Sequence, residues 1–166
     1  MKKILYLLIS FIILINIGAC TGYKPIFSSS NLEFKIAEYS ILGDKNLGNK
    51  IYSKLYSLSK SNKDNRNIKS VVLVIEVSKD KKATSKDSAG KILQYKITLN
   101  TNVKVTDFVT KDKILNKNIV SSLTYSVQNQ YSDTVNLENR SIESLLNKIY
   151  QELIIDLTQN IIAKWS

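Results

Sequence analysis

The sequence predicts an α+β domain in two layers, a four-stranded, mostly antiparallel sheet with two helices packed on one face. Three observations predict this class. The periodic segments occur in the order strand, helix, strand, long strand, strand, long helix. The last three strands follow one another closely, as in an antiparallel meander, and each helix has an apolar stripe that must be buried. Laying both stripes on one apolar sheet face buries them and leaves the other face polar.

A short alternating strand comes first, and an amphipathic helix follows it. Apolar and charged residues alternate from Leu32 to Ile36. From Asp44 to Lys60 the period becomes helical, and Asp44 is suited to cap the first turn. The apolar face of this helix consists of Leu47, Ile51, Leu55 and Leu58. The polar stretch from Ser59 to Asn67 then predicts a loop.

Three further strands are predicted in the middle of the chain. The β-branched run Val71–Val77 has apolar residues on both faces at its start, which indicates a central strand. The charged stretch Ser78–Gly90 predicts a loop or a hairpin tip. Strict alternation over Tyr95–Val105 predicts a long strand with one polar face. A turn at Lys111–Lys113 and an alternating strand over Ile119–Val127 complete the meander.

A long helix is predicted to end the chain. Residues 128–136 form a polar connector, and the helical period begins at about Leu137 and continues toward Trp165. Its stripe consists of Ile142, Leu145, Leu146, Ile149, Leu153, Ile154, Leu157, Ile161 and Ile162. A helix of about 27 residues is about 40 Å long, which is enough to cross a whole sheet.

The N-terminal segment has the layout of a secretory signal peptide. Lys2 and Lys3 precede an apolar run over residues 4–15, and the small residues Gly18 and Ala19 stand directly before Cys20, the single cysteine. This arrangement resembles a bacterial lipoprotein signal, in which the cysteine is acylated and becomes the mature N-terminus. This apolar run is short for a transmembrane anchor, which needs about 20 residues. An ordinary cleaved signal is the remaining alternative.

Acylation would give the chain three parts. Residues 1–19 are the predicted lipoprotein signal peptide, residues 20–30 an acylated tether, and residues 31–166 the α+β domain. Acyl chains such as palmitate on Cys20 would hold the mature chain at a bilayer surface. Thr21 follows the cysteine. Many Gram-negative lipoproteins that are retained in the inner membrane have aspartate at this position. By this resemblance, its absence permits sorting to the periplasmic face of the outer membrane.

Composition points to binding rather than catalysis. Removing Lys2 and Lys3 with the signal lowers the formal net charge from +10 to +8, which favours anionic partners. Nucleic acid is disfavoured outside the cytoplasm. There is no histidine and no second cysteine, so common zinc sites, Ser-His-Asp triads and Cys-His dyads are excluded. We therefore expect no enzyme, no metal and no cofactor.

Several features together resemble the LptE family of lipopolysaccharide-assembly lipoproteins. Gly22–Phe27 (Gly-Tyr-Lys-Pro-Ile-Phe) after the acylated cysteine is similar to the family's start, and the order of elements matches. The sequence Lys79-Asp80, a basic loop with Gly90, and the strand Tyr95–Val103 also resemble the family. The resemblance implies a role as the plug of the β-barrel protein LptD, assisting lipopolysaccharide delivery to the outer membrane, with basic residues binding lipopolysaccharide.

The candidate ligand-binding residues follow from that resemblance. The family's basic loop position falls among Lys82, Lys86 and Lys91. A second basic position, at the start of the last helix, coincides with Glu138, and Arg140 nearby could replace it. The alternative is that these lysines are only solvated surface residues, because the chain is rich in lysine throughout.

Two other functions remain open from the sequence. An accessory lipoprotein of a lipid-trafficking ABC transporter would have similar size and mixed α/β content. A pilotin-like structural lipoprotein of the envelope would also fit, and it would have no affinity for lipopolysaccharide.

Overall fold

The described residues form a four-stranded sheet with two helices packed against it, which confirms the predicted α+β class. The computed structural model describes residues 34–59 and 68–165, with side chains described as far as Ile161. The elements are β1 (Phe34–Gly43), α1 (Lys45–Ser59), β2 (Lys69–Lys86), β3 (Ile92–Asp107), β4 (Lys113–Ser126) and α2 (Tyr131–Trp165).

The strands lie in the sheet in the order in which they occur in the chain, β1-β2-β3-β4. β1 and β2 are parallel, because α1 connects them and returns the chain to the same end of the sheet. β2, β3 and β4 form an antiparallel meander. β2 pairs with a strand on each side, so its predicted central position is confirmed.

The junction between β1 and α1 is fixed by two residues. Gly43 adopts φ +73°, and a Cβ there would lie 2.2 Å from the Val77 carbonyl oxygen, so only glycine fits without strain. The next backbone N–H, that of Asp44, donates to the same oxygen at 2.8 Å. The Asp44 carboxylate accepts from the N–H groups of Asn46 and Leu47 at 3.1 Å each, which confirms the predicted helix cap.

The hydrophobic core lies between one face of the sheet and the two helices. Alternate residues of β2 and β3 point into it, and Ile75, Ile97 and Leu99 are each 0% exposed. The helices supply their apolar stripes, including Ile51 of α1 and Leu153 of α2. The opposite sheet face, which we call the open face, carries mainly amides, hydroxyls and charges. Its polar residues include Glu76, Ser78, Lys96, Asn100, Asn102, Lys104, Asn116 and Asn118.

β2 is longer than the sequence pattern predicts. Ser78–Gly90 was expected as a loop or a hairpin tip, but β2 continues to Lys86, and only residues 87–91 form the turn. The core-facing positions of this part are Lys79, Lys81 and Ala83, so the apolar alternation that marks a half-buried strand is missing. The strand forms because β3 provides a continuous partner, with Lys81 opposite Ile97 and Ala83 opposite Tyr95.

Other element boundaries also differ from the prediction, and β1 continues to Gly43 instead of ending near Ile36. β4 begins at Lys113 rather than at Ile119, and its first residues bury Ile114 and Leu115. α2 begins at Tyr131 rather than at about Leu137 and has 35 residues, about 52 Å at the usual rise. Its early sheet-facing positions are polar, so they give no apolar periodicity. They are Thr134, Glu138 and Ser141.

Three predicted segments lie outside the described residues. They are the signal peptide over residues 1–19, the tether over residues 20–30, which includes Cys20, and the loop over residues 60–67. Within the described parts of the chain, neither helix combines the length and the hydrophobicity needed to cross a bilayer.

Candidate functional site at the basic end of the sheet

The β2–β3 hairpin extends beyond the end of β1. β1 ends at Gly43, which is opposite Val77, while β2 continues for nine more residues to Lys86. We call residues 78–97 the hairpin extension. It contains six lysines and two aspartates, so it concentrates positive charge at one end of the sheet.

Two lysines of the hairpin extension lie side by side on the open face. Lys82 and Lys96 are direct cross-strand partners, which places their Cβ atoms about 5 Å apart. The Lys82 side chain is 77% exposed, and its Nζ lies 3.1 Å from the Asp80 carboxylate. Like charges in this position repel each other, so a phosphate that bridges the two ammonium groups would relieve the repulsion.

Lys86 and Lys91 flank the turn of the hairpin. The Asp87 carboxylate accepts from the N–H groups of Ala89 and Lys91, at 3.0 and 2.9 Å, and Gly90 adopts φ +85° to close the turn. Both lysines are exposed. The structure therefore brings Lys82, Lys86 and Lys91, the lysines predicted from the sequence, to the same end of the molecule.

A second group of side chains lies on the helix-facing side of the hairpin extension. The Lys81 ammonium lies 2.5 Å from the Glu138 carboxylate and 4.4 Å from the centre of the Tyr95 ring. The Tyr125 hydroxyl donates to the same carboxylate at 2.8 Å, and the Tyr95 and Tyr125 rings stack with centroids 5.9 Å apart. We call these four residues the Lys81 cluster. It joins β2, β3, β4 and α2.

The electrostatics of the Lys81 cluster favour the ion pair. Burial opposes charge on Lys81, but hydrogen bonds to Glu138 and Tyr125 outweigh it and raise the pKa of Lys81. Burial also acts to raise the pKa of Glu138, yet its bonds with Lys81 and Tyr125 hold that pKa below its usual value. The pKa of Tyr125 is raised, mainly by burial. Lys81 and Glu138 are therefore both charged at neutral pH.

Arg140 does not join the lysines on the open face. It is exposed on α2, which packs against the helix-facing side of the sheet, and Lys82 and Lys96 lie on the other side. Two residues along a helix turn the side chain by about 200°. Because Glu138 points to Lys81, Arg140 therefore points away from the sheet. The sequence places Arg140 near the basic end, but the structure separates it from Lys82 by the sheet itself.

Lys96 and the Lys81 cluster were missed as site residues by the sequence analysis. The position of Lys96 opposite Lys82 depends on the register of the hairpin, and the periodicity of a single strand does not determine that register. Lys81 was grouped with a loop, although the spacing from Val77 continues the core-facing positions of β2. By resemblance Glu138 occupies a basic position of the family, and in the structure it pairs with a lysine of β2. Among the described residues, no group of three or more acidic or thiol ligands is placed to hold a metal.

The fold connects this chain with solved structures, whereas its sequence gives no match. No protein-family model matches the chain, and no curated protein matches its sequence. Lipoprotein B from Nitrosomonas europaea is similar with a TM-score of 0.58 at 12% identity, covering 86% of this chain and 93% of that one. A Caulobacter crescentus protein described as a lipoprotein is similar with a TM-score of 0.54 at 10% identity, covering 76% and 90%. The chain thus has a fold that is found in lipoproteins.

Proposed function

We propose that the mature chain is an outer-membrane lipoprotein that acts by binding, not by catalysis, at the periplasmic face of the membrane. One observation carries this proposal: a signal that ends in a single cysteine precedes a domain whose fold is found in lipoproteins. Acyl chains on Cys20 anchor the domain, since each buried CH₂ contributes about 0.8 kcal/mol of membrane affinity.

The ligand in this proposal is lipopolysaccharide, which binds at the hairpin extension. Its lipid A and core phosphates are strong acceptors for ammonium groups. Lys82 and Lys96 supply two adjacent charges on the open face, and Lys86 and Lys91 supply two more at the turn. Arg140 has no part in this site, because it lies on the other side of the sheet.

The protein partner in this proposal is a β-barrel of the LptD kind, with the domain as its plug. The open face supports this role, because the interior of an outer-membrane barrel is polar. Its amides, hydroxyls and lysines form hydrogen bonds with water in the free protein, and in the barrel they can form hydrogen bonds with the polar wall instead. Binding of this kind requires no catalytic group.

Co-purification from native membranes tests the barrel. We expect a large β-barrel protein to accompany the acylated chain in mild detergent. Recovery with the components of an inner-membrane ABC transporter would instead identify an accessory lipoprotein of that system. Recovery without any barrel and without lipopolysaccharide would contradict the proposal and leave a pilotin-like role.

Charge reversal at the hairpin extension tests the ligand. The variant Lys82→Glu, Lys86→Glu, Lys91→Glu should weaken binding to phosphorylated lipid A at least tenfold and leave binding to the barrel within about threefold. The matched control is Lys45→Glu, Lys111→Glu, Lys148→Glu, which changes the net charge equally at exposed sites outside the hairpin extension and the open face. Equal loss in both variants would show that only total charge matters, and no loss in either would exclude the site.

A further inference from the structure

One stretch of β2 has an unpaired edge. β1 pairs with β2 only as far as Val77, whereas β2 remains a strand to Lys86, and its register with β3 is regular as far as Ala83. Within residues 34–59 and 68–165, no strand lies beside Ser78–Ala83 on the β1 side. The free edge is six residues long, or roughly 20 Å at the usual rise per residue.

The backbone groups that face this edge can be assigned. The Val77 carbonyl accepts from the Asp44 N–H, so Val77 directs its backbone groups toward β1. Successive residues of a strand point their N–H and C=O groups to opposite sides. Lys79, Lys81 and Ala83 therefore present three donors and three acceptors to the free edge, while the groups of the residues between them bond to β3.

The side chains along the edge select what can pair with it. Lys79, Lys81 and Lys82 stand within the six residues, where Asp80 pairs with Lys82 and Glu138 of α2 pairs with Lys81. Three lysines against two carboxylates leave this edge with a net positive charge. Antiparallel pairing with a second copy of this chain would set lysines opposite lysines, which is destabilising. A strand that carries glutamate or aspartate would instead place opposite charges across the new ladder. Lysine on an edge is a common protection against self-association, and here it leaves the edge open to acidic strands.

We propose that the Ser78–Ala83 edge binds an extended acidic segment of a partner protein, which adds a strand to the sheet along the line of β1. The added strand forms backbone hydrogen bonds with Lys79, Lys81 and Ala83, and its carboxylates are attracted by the net positive charge of the edge. This inference depends on the register of the strands and on the charges of the edge, and not on a lipopolysaccharide ligand or a barrel partner, so it holds or fails independently of the proposed function.

A labelled peptide tests the edge directly. The probe is an eight-residue peptide of alternating glutamate and threonine with a dye at one end, titrated with the full mature chain in detergent micelles. Fluorescence anisotropy should show saturable binding, and a lysine-threonine peptide should not bind. Ala83→Pro removes one edge N–H without changing charge, and an edge strand tolerates proline. It should weaken binding at least tenfold, while the control Ala83→Ser changes it less than twofold.

Amide hydrogen exchange gives a second readout with a distinctive pattern. In the free protein, the amides of Ser78, Asp80 and Lys82 should exchange slowly, because they bond to β3, and those of Lys79 and Lys81 should exchange fast. Adding the glutamate-threonine peptide should slow the fast amides at least tenfold. The fold of Ala83→Pro is checked by the unchanged slow exchange of core amides such as that of Ile97.

Three results would overturn the proposal. The first is absence of saturable binding by the acidic peptide. The second is binding that salt abolishes but that Ala83→Pro leaves unchanged, which would mean charge attraction without strand addition. The third is uniform slow exchange along Ser78–Ala83 in the free protein, which would mean that the edge is already covered.

Discussion

Glu138 is the residue at which four elements meet. Its carboxylate accepts from Lys81 and from the Tyr125 hydroxyl, and the Tyr95 ring lies beneath the ammonium group. Because both the cation and the carboxylate are partly buried, the pair is screened less than an exposed one. This arrangement explains why the basic end of the sheet keeps an acidic residue at the start of α2.

Replacing Glu138 by glutamine should destabilise the domain by about 1 kcal/mol at neutral pH, because the charge of the pair is lost while a hydrogen-bond acceptor remains. The pKa of Glu138 is lowered in the folded protein, so its contribution is present above the unfolded pKa of 4.5 and is lost as the pH falls through the folded pKa. Urea unfolding at pH 7 and at pH 3 measures the difference from wild type, which should shrink in acid.

The control for this prediction is Glu143→Gln. Glu143 pairs with Lys50 at the surface, with side chains 47% and 51% exposed, so its loss should cost less than about 0.5 kcal/mol. An equal effect of the two variants, or a Glu138→Gln effect that is independent of pH, would contradict the role given to the Lys81 cluster.

Thr101 illustrates the opposite case, a polar group without a partner. It is 0% exposed on the core-facing side of β3, and its hydroxyl has no hydrogen-bond partner. Thr101→Val keeps the shape and removes the unsatisfied group, so it should stabilise the domain by about 1 kcal/mol, or about 2–4 °C in melting temperature. Thermal unfolding measures this, with the open-face variant Thr98→Val as control. Loss of stability in Thr101→Val would mean that the hydroxyl is bonded in solution.

At the scale of elements, hydrophobic periodicity predicts a strand or a helix where the buried residues are apolar. It misses the element where the buried residues are polar. Val71–Val77 and Tyr95–Val105 were predicted because their core-facing residues are all apolar or threonine. The second half of β2 and residues 131–136 of α2 were missed, because lysines occupy inward positions in the first stretch and Thr134 occupies the inward position in the second. The missed half of β2 packs against the first turns of α2 through the Lys81–Glu138 pair. The sequence therefore concealed the part of the fold where the candidate site lies.

In α1, the N-cap predicted from the sequence is the one that the structure contains. Asp44→Ala should remove both hydrogen bonds to the first turn and destabilise the domain by about 1 kcal/mol. Asp44→Asn retains a side-chain oxygen and should restore most of the loss, which distinguishes capping from a general effect of charge. Chemical denaturation of the three proteins measures both effects, and equal stability of all three would contradict the assignment.

For the whole molecule, the fold class was predictable and the site was predictable only in part. The order of strands and helices follows from periodicity, and the meander follows from short connections. Lys82, Lys86 and Lys91 were predicted through resemblance, and the structure places them at one end of the sheet. The pairing of Lys82 with Lys96, and the separation of Arg140 from both, depend on register and on which face α2 covers. Single-strand patterns do not determine either of these.

Mass spectrometry of the protein isolated from its native membranes tests the account most directly. The first residue should be Cys20, with a diacylglycerol on its sulfur and a further acyl chain on its amino group. Cys20→Ser should leave the chain unacylated and release it from the membrane fraction. A mature protein that begins at another residue and carries a free thiol at Cys20 would contradict the account.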